Sequence, residues 1–79
     1  MDKKQLEEQI IGFFSITYNK DVAELSLETK IKEDLSPASM LMVGLVSHIE
    51  NELDIMIPLP ETKNFHTIGD VVEMVSKQL

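Results

Sequence analysis

Ser39 is the side chain in this sequence best placed to do chemistry. It lies in the stretch Glu33-Asp34-Leu35-Ser36-Pro37-Ala38-Ser39-Met40. Ser36 is a favourable N-cap, and Pro37 suits the first helical position, where its missing N–H costs nothing. A helix starting there puts Ala38 second and Ser39 third. The hydroxyl is then exposed and close to the positive end of the helix dipole. Free N–H groups at that end favour a negatively charged substituent by a few tenths to about 1 kcal/mol. A phosphate ester on Ser39 is the chemistry this position could support. The plainer alternative is a first-turn serine bonding a backbone N–H, and the residues alone favour it.

Catalysis fits poorly. A nucleophilic serine needs a base within hydrogen-bond reach and a third group to orient that base. The histidines are His48 and His66. His48 falls on the same helix as Ser39, roughly 13 Å further along at 1.5 Å per residue, and reads as a polar surface residue. His66 reads as a loop residue. Glu33 and Asp34 flank the helix entrance, where they favour its dipole or bind a cation loosely. No metal-ligand cluster is evident. The chain is not expected to be an enzyme.

The elements that position Ser39 follow from apolar spacing. Leu6, Ile10, Phe13, Phe14 and Thr17 form one stripe of a helix from about Asp2 to Thr17, with Asp2 as its cap. From Tyr18 to Leu35 the pattern weakens. Val22, Leu25, Leu27, Ile31 and Leu35 recur often enough to tack a long connection across a core, with a short helical turn near Ala23. Met42, Val46, Ile49 and Leu53 repeat as in the first helix, widened by Leu45, and the second helix should end near Asp54. Ile55 to Pro58 is extended, because a residue before proline is pushed out of the helical region. Pro60 starts a short helical turn. Thr67 opens a last helix with Asp70 as its capping-box partner, and Ile68, Val71, Val72, Val75 and Leu79 form its stripe. The fold class is all-α: a small four-helix bundle of three main helices plus a short third one. A long loop separates helices one and two.

Composition narrows the function classes. The chain has 79 residues, expected to form a single domain over 1–79. Its net charge is -7, and all seven basic residues are lysines. No basic face is available for nucleic acid or an anionic membrane. Partners with basic patches suit it, although acidity can also serve solubility alone. Cysteine is absent, which removes disulfides, thiol catalysis and zinc-thiolate sites. The start, Met1-Asp2-Lys3-Lys4, lacks the apolar run of a signal peptide, and no stretch is long enough to span a membrane. A cytoplasmic monomer without membrane insertion is expected. Met42 and Met74 read as core fillers. Met40 and Leu41 project toward the outer or flanking side of the second helix beside Ser39. Either they form an apolar docking surface or one of them turns in against the long loop.

The ordered fragments together resemble the acyl carrier protein family, over nearly the whole chain. Glu33-Asp34-Leu35-Ser36 is similar to the family's acidic segment before helix two. Ala38-Ser39-Met40 stands where its Asp-Ser-Leu-type motif falls. Glu50-Asn51-Glu52-Leu53-Asp54-Ile55-Met56-Ile57-Pro58 resembles its acidic helix end with an Ile-Pro signature. Thr67-Ile68-Gly69-Asp70-Val71-Val72 resembles the start of its last helix. The resemblance implies that Ser39 accepts a 4'-phosphopantetheine arm from coenzyme A, on which acyl groups ride as thioesters. It implies a phosphopantetheinyl transferase and the acyl-transferring, synthase or ligase enzymes of a pathway as partners. It also implies an acyl pocket between helices, lined by Val46, Ile49 and Ile68.

The family's usual acid before the serine is Ala38 here. That acid is understood to help the transferase position a metal and coenzyme A. Leu41 and Gly44 replace acids that normally meet basic patches on partners. With Met40 and Val43 they are the residues expected on an apolar docking surface, which suggests a dedicated partner set in a specialised fatty-acid, lipid or polyketide pathway. The alternative is an unmodified carrier-like domain acting as an interaction or scaffold module.

Overall fold

The computed structural model describes residues 2–79. Three helices carry the fold: α1 (Lys3–Tyr18), α2 (Ser39–Leu53) and α3 (Ile68–Ser76). Short helical turns at Val22–Glu24, Ile31–Leu35 and Leu59–Asn64 punctuate the connections. The all-α bundle follows the expected order, including the turn near Ala23 and the one containing Pro60.

α1 starts where its residues say it should. The Asp2 carboxylate accepts the Gln5 N–H at 2.8 Å, and the Gln5 side chain accepts the Asp2 N–H in return. Two donors left free by the first turn are thereby satisfied. Asn19 ends the helix at φ 57, a left-handed conformation that asparagine tolerates better than most residues. Asp54 ends α2 in the same way at φ 55. The stripe of α1 buries Leu6, Ile10, Phe13, Phe14 and Tyr18. Tyr18, at i+8 from Ile10, takes the place that the spacing assigns to Thr17, which is only half-buried.

α1 packs against both α2 and α3. Between them lie Phe14, Ile10, Leu45, Ile49, Ile68, Val71, Val72 and Val75, each almost wholly removed from solvent. Burying one such side chain contributes about 1.5–3 kcal/mol before entropy is counted. Leu79 is not part of this core. α3 stops at Ser76, and the last residues tighten into turns closed by Gln78 N–H to the Val75 carbonyl and Leu79 N–H to the Ser76 carbonyl. Leu79 is left exposed.

The long connection is pinned by its backbone as well as by Leu25, Leu27, Ile31 and Leu35. Lys30 and Thr67 pair as an isolated antiparallel bridge. Ile31 N–H donates to the His66 carbonyl at 2.9 Å, Ile68 N–H to that of Thr29 at 3.1 Å, and Gly69 N–H to that of Leu27 at 2.9 Å. The last two carbonyls satisfy amides of the first turn of α3. Gly69 permits the approach, since a Cβ there would stand 3.0 Å from the Leu27 carbonyl oxygen. After α2 the chain turns back, and the Glu50 carboxylate holds it by accepting the Ile57 N–H at 2.7 Å.

Candidate functional site

The start of α2 differs from the start expected for it. Ser36 is not its cap. The Ser36 N–H closes the preceding π-type turn on the Ile31 carbonyl at 2.9 Å, and its hydroxyl accepts the Ala38 N–H at 3.1 Å. Held in an extended conformation as the end of one turn, Ser36 cannot also begin the helix. Pro37 and Ala38 stay outside it, Ala38 becomes the N-cap, and Ser39 is the first helical residue rather than the third. Ala38 has no side chain that can cap, and no other side chain caps this end. Ser39 is exposed there. It does not play the capping part that the plainer reading gives it.

Asp34 is engaged elsewhere. Its carboxylate accepts the Lys30 N–H at 2.8 Å, which ties it to the start of the Ile31–Leu35 turn. His48 is no free surface residue either. It is half-buried, with its ring 4.6 Å from that of Phe13 and tilted by 46°. His66 is exposed in the loop before α3, and its backbone N–H donates to the Asp70 carboxylate at 3.0 Å. Among the described residues, the structure assembles no nucleophile–base pair at Ser39.

Beside Ser39 opens a cavity of about 200 Å³. Tyr18, Ile31, Met42 and Phe65 supply its apolar walls, and the segment Ser36 to Ser39 one edge. Lys32 and Lys63 also line it. Two of seven lysines thus border the same cavity as the serine in a chain of net charge -7. Val46, Ile49 and Ile68 do not line this cavity. They are packed in the core at 3%, 0% and 0% exposure, so a chain reaching them would have to part the helices. Tyr18 and Phe65 meet at the cavity from distant parts of the sequence. The only local signal for Tyr18 is its place on the α1 stripe.

On the outer face of α2, Met40 is 85% exposed and Val43 and Gly44 are exposed beside it. Leu41 turns inward, half-buried against the core. From Ser39 to His48 the helix carries no acid, lysine or arginine. Its first carboxylate, Glu50, is occupied at the far end by Ile57.

No family model matches the chain. Curated relatives do. An acyl carrier protein of Clostridium perfringens (strain 13 / Type A) is 34% identical over 62 residues, covering 78% of this chain and 79% of that protein. The chain belongs to the acyl carrier protein family. An acyl carrier protein of Exiguobacterium sibiricum is 28% identical over the full length of both chains. One of Borrelia garinii subsp. bavariensis is 28% identical over 99% of this chain and 98% of its own. Acyl carrier proteins are carriers, not enzymes. Among the described residues no helix is long and apolar enough to cross a membrane.

Proposed function

We propose that residues 1–79 act as one carrier domain whose Ser39 hydroxyl is esterified by 4'-phosphopantetheine. The observation that carries this reading is the position of Ser39: exposed, first in α2, uncapped, and on the edge of a cavity flanked by lysines. These residues fit the group. A phosphodiester on Ser39 would sit at the positive end of the α2 dipole, and Lys32 and Lys63 would offer it cations. When bound, the arm supplies the thiol that this cysteine-free chain lacks, on which acyl groups are carried as thioesters. The apolar walls beside Ser39 shield a tethered chain from water. Movement of the helices would extend that shelter toward Val46, Ile49 and Ile68.

Partner enzymes, a phosphopantetheinyl transferase among them, would dock on Met40, Val43 and Gly44, with Leu41 supporting that face from beneath. Apolar contact there takes over part of the role that carboxylates play in other carriers. A dedicated partner set in a specialised fatty-acid, lipid or polyketide pathway, working as a monomer in the cytoplasm, suits such a face.

The test is direct. The protein is incubated with coenzyme A, magnesium and a panel of phosphopantetheinyl transferases that includes one from its own source, and its intact mass is taken. A gain of one phosphopantetheine, absent in Ser39→Ala, is expected. No gain with any transferase would leave an unmodified interaction module as the better description.

A further inference from the structure

Cysteine is absent from this chain, so its sulfur chemistry falls to five methionines. Four of them lie among the described residues, and their surroundings differ. Met42 borders the cavity and Met74 packs against the core, and both are half-buried. The Gln78 side-chain amide stands 3.7 Å from the Met74 sulfur. Met56 is exposed, but it follows the end of α2. Met40 is 85% exposed, more than any other exposed large apolar side chain among the described residues. It is the second residue of α2, directly after Ser39. A thioether that protrudes this far meets small oxidants without any opening of the fold. Met40 also stands where the motif of related carriers has leucine. Leucine and methionine are both apolar and similar in volume, so either would fill an apolar hollow on a partner. Only the thioether accepts an oxygen atom.

We propose that Met40 is a reversible oxidation site, and that its sulfoxide withdraws Ser39 from partner enzymes. This rests on the reading that partners dock on the face of α2 that Met40 shares with Val43 and Gly44. The oxidant is a hydroperoxide. With hydrogen peroxide, the sulfur lone pair attacks one oxygen, an S–O bond forms and the O–O bond breaks. The proton of the transferred oxygen passes to the departing hydroxide, which leaves as water. Sulfur loses two electrons and the peroxide gains them. Methionine sulfoxide reductases reverse the step, with two thiols oxidised to a disulfide and the oxygen released as water. The sulfoxide puts a polar acceptor into a stretch that has no acid, lysine or arginine from Ser39 to His48. On docking, that oxygen loses its water and meets an apolar surface, a cost of about tenfold in affinity. The fold does not depend on Met40, which is outside the core and the apolar residues packed against it.

The test uses the whole, unloaded chain. It is treated with hydrogen peroxide, the peroxide is removed, and the added oxygen is located by peptide mass. Met40 is expected to gain one oxygen faster than Met42 and Met74. A phosphopantetheinyl transferase that loads the untreated chain is then added. The kcat/KM for loading should fall by about tenfold at an unchanged melting temperature. Treatment with methionine sulfoxide reductases and a dithiol should restore it. Met56→Leu should remain as sensitive to peroxide as the parent. Met40→Leu, whatever its own rate, should load equally well before and after peroxide. Met40 sulfoxide with an undiminished kcat/KM, or equal sensitivity in Met40→Leu, overturns the proposal. So does oxidation of Met40 no faster than that of Met42 and Met74, or a fall in rate that tracks a lowered melting temperature. If no transferase loads even the untreated chain, the carrier reading fails and this proposal falls with it, an outcome that shows before any oxidant is used.

Discussion

Ala38 has two consequences that a single substitution exposes. It occupies the N-cap of α2 without capping it, and it stands where related carriers place an acid. Ala38→Asp should therefore act on stability and on loading together. A carboxylate at an N-cap contributes about 1 kcal/mol over alanine, which for a domain of this size raises the melting temperature by about 4–8 °C. The same carboxylate restores the acid beside Ser39. Loading by a broad-specificity transferase should quicken by about tenfold, as removing or restoring an outer-shell ligand partner commonly does. Thermal melting and a time course of intact mass read the two effects separately. A higher melting temperature with an unchanged rate would show that the transferase does not use this acid. Ser39 itself is legible from its neighbours, since a serine beside a proline-marked helix start is a local pattern. Its position within the helix is not, because the Ser36 N–H is claimed by Ile31 through a π-type turn that no local signal announces.

At the scale of elements, α2 and α3 answer to different forces. α3 is held at its start by a capping box. The Thr67 hydroxyl accepts the Asp70 N–H at 3.2 Å, and the Asp70 carboxylate accepts the Thr67 and His66 N–H groups at 3.0 Å each. Burial pushes the Asp70 carboxyl upward, but these amides, the attraction of the His66 side chain and the Thr67 hydroxyl together outweigh it and leave the group below the usual carboxylate range. A carboxylate held low in the folded chain contributes stability above its unfolded pKa of about 3.9, and that contribution is lost as pH falls through the folded value. Asp70→Asn should therefore be less stable than the parent at neutral pH and lose less on acidification below about pH 4. Parallel denaturant titrations at pH 7 and pH 3 check this, and equal losses would contradict it. Thr67→Ala should cost about 1 kcal/mol at pH 7 and less at pH 3, where the Asp70 carboxylate that its hydroxyl favours is being protonated. In α2, Gly44 sits in the helix interior with open space where a Cβ would be. Gly44→Ala should raise stability by about 0.5–1 kcal/mol, measured by denaturant melts. A slower loading rate in that variant would place Gly44 on the docking face. The capping box and stripe of α3 are visible in sequence because both are local. The bridge between Lys30 and Thr67 is not, since it joins segments far apart in the chain and shows no alternation.

For the molecule as a whole, sequence periodicity reached the bundle, its three main helices and the serine at the start of the second. It did not reach the cavity. That space exists because α1 ends on Tyr18, the Leu59–Asn64 turn delivers Phe65, and Ile31 is drawn in from the long connection, and none of these meetings is encoded within one helix. The charge of -7 is likewise a property of the whole chain that says little about the site, where the first ten residues of α2 carry no acid and two lysines line the cavity that the serine borders. The central claim is that Ser39 is loaded in its natural setting. The most direct measurement is the intact mass of the protein recovered from its own cells, followed by fragmentation of the peptide containing Ser39. A mass above that of the bare chain by one 4'-phosphopantetheine, with or without an acyl group, and localised to Ser39, is the expected result. A population wholly at the mass of the bare chain, under conditions in which the protein is expressed and its pathway active, would contradict it.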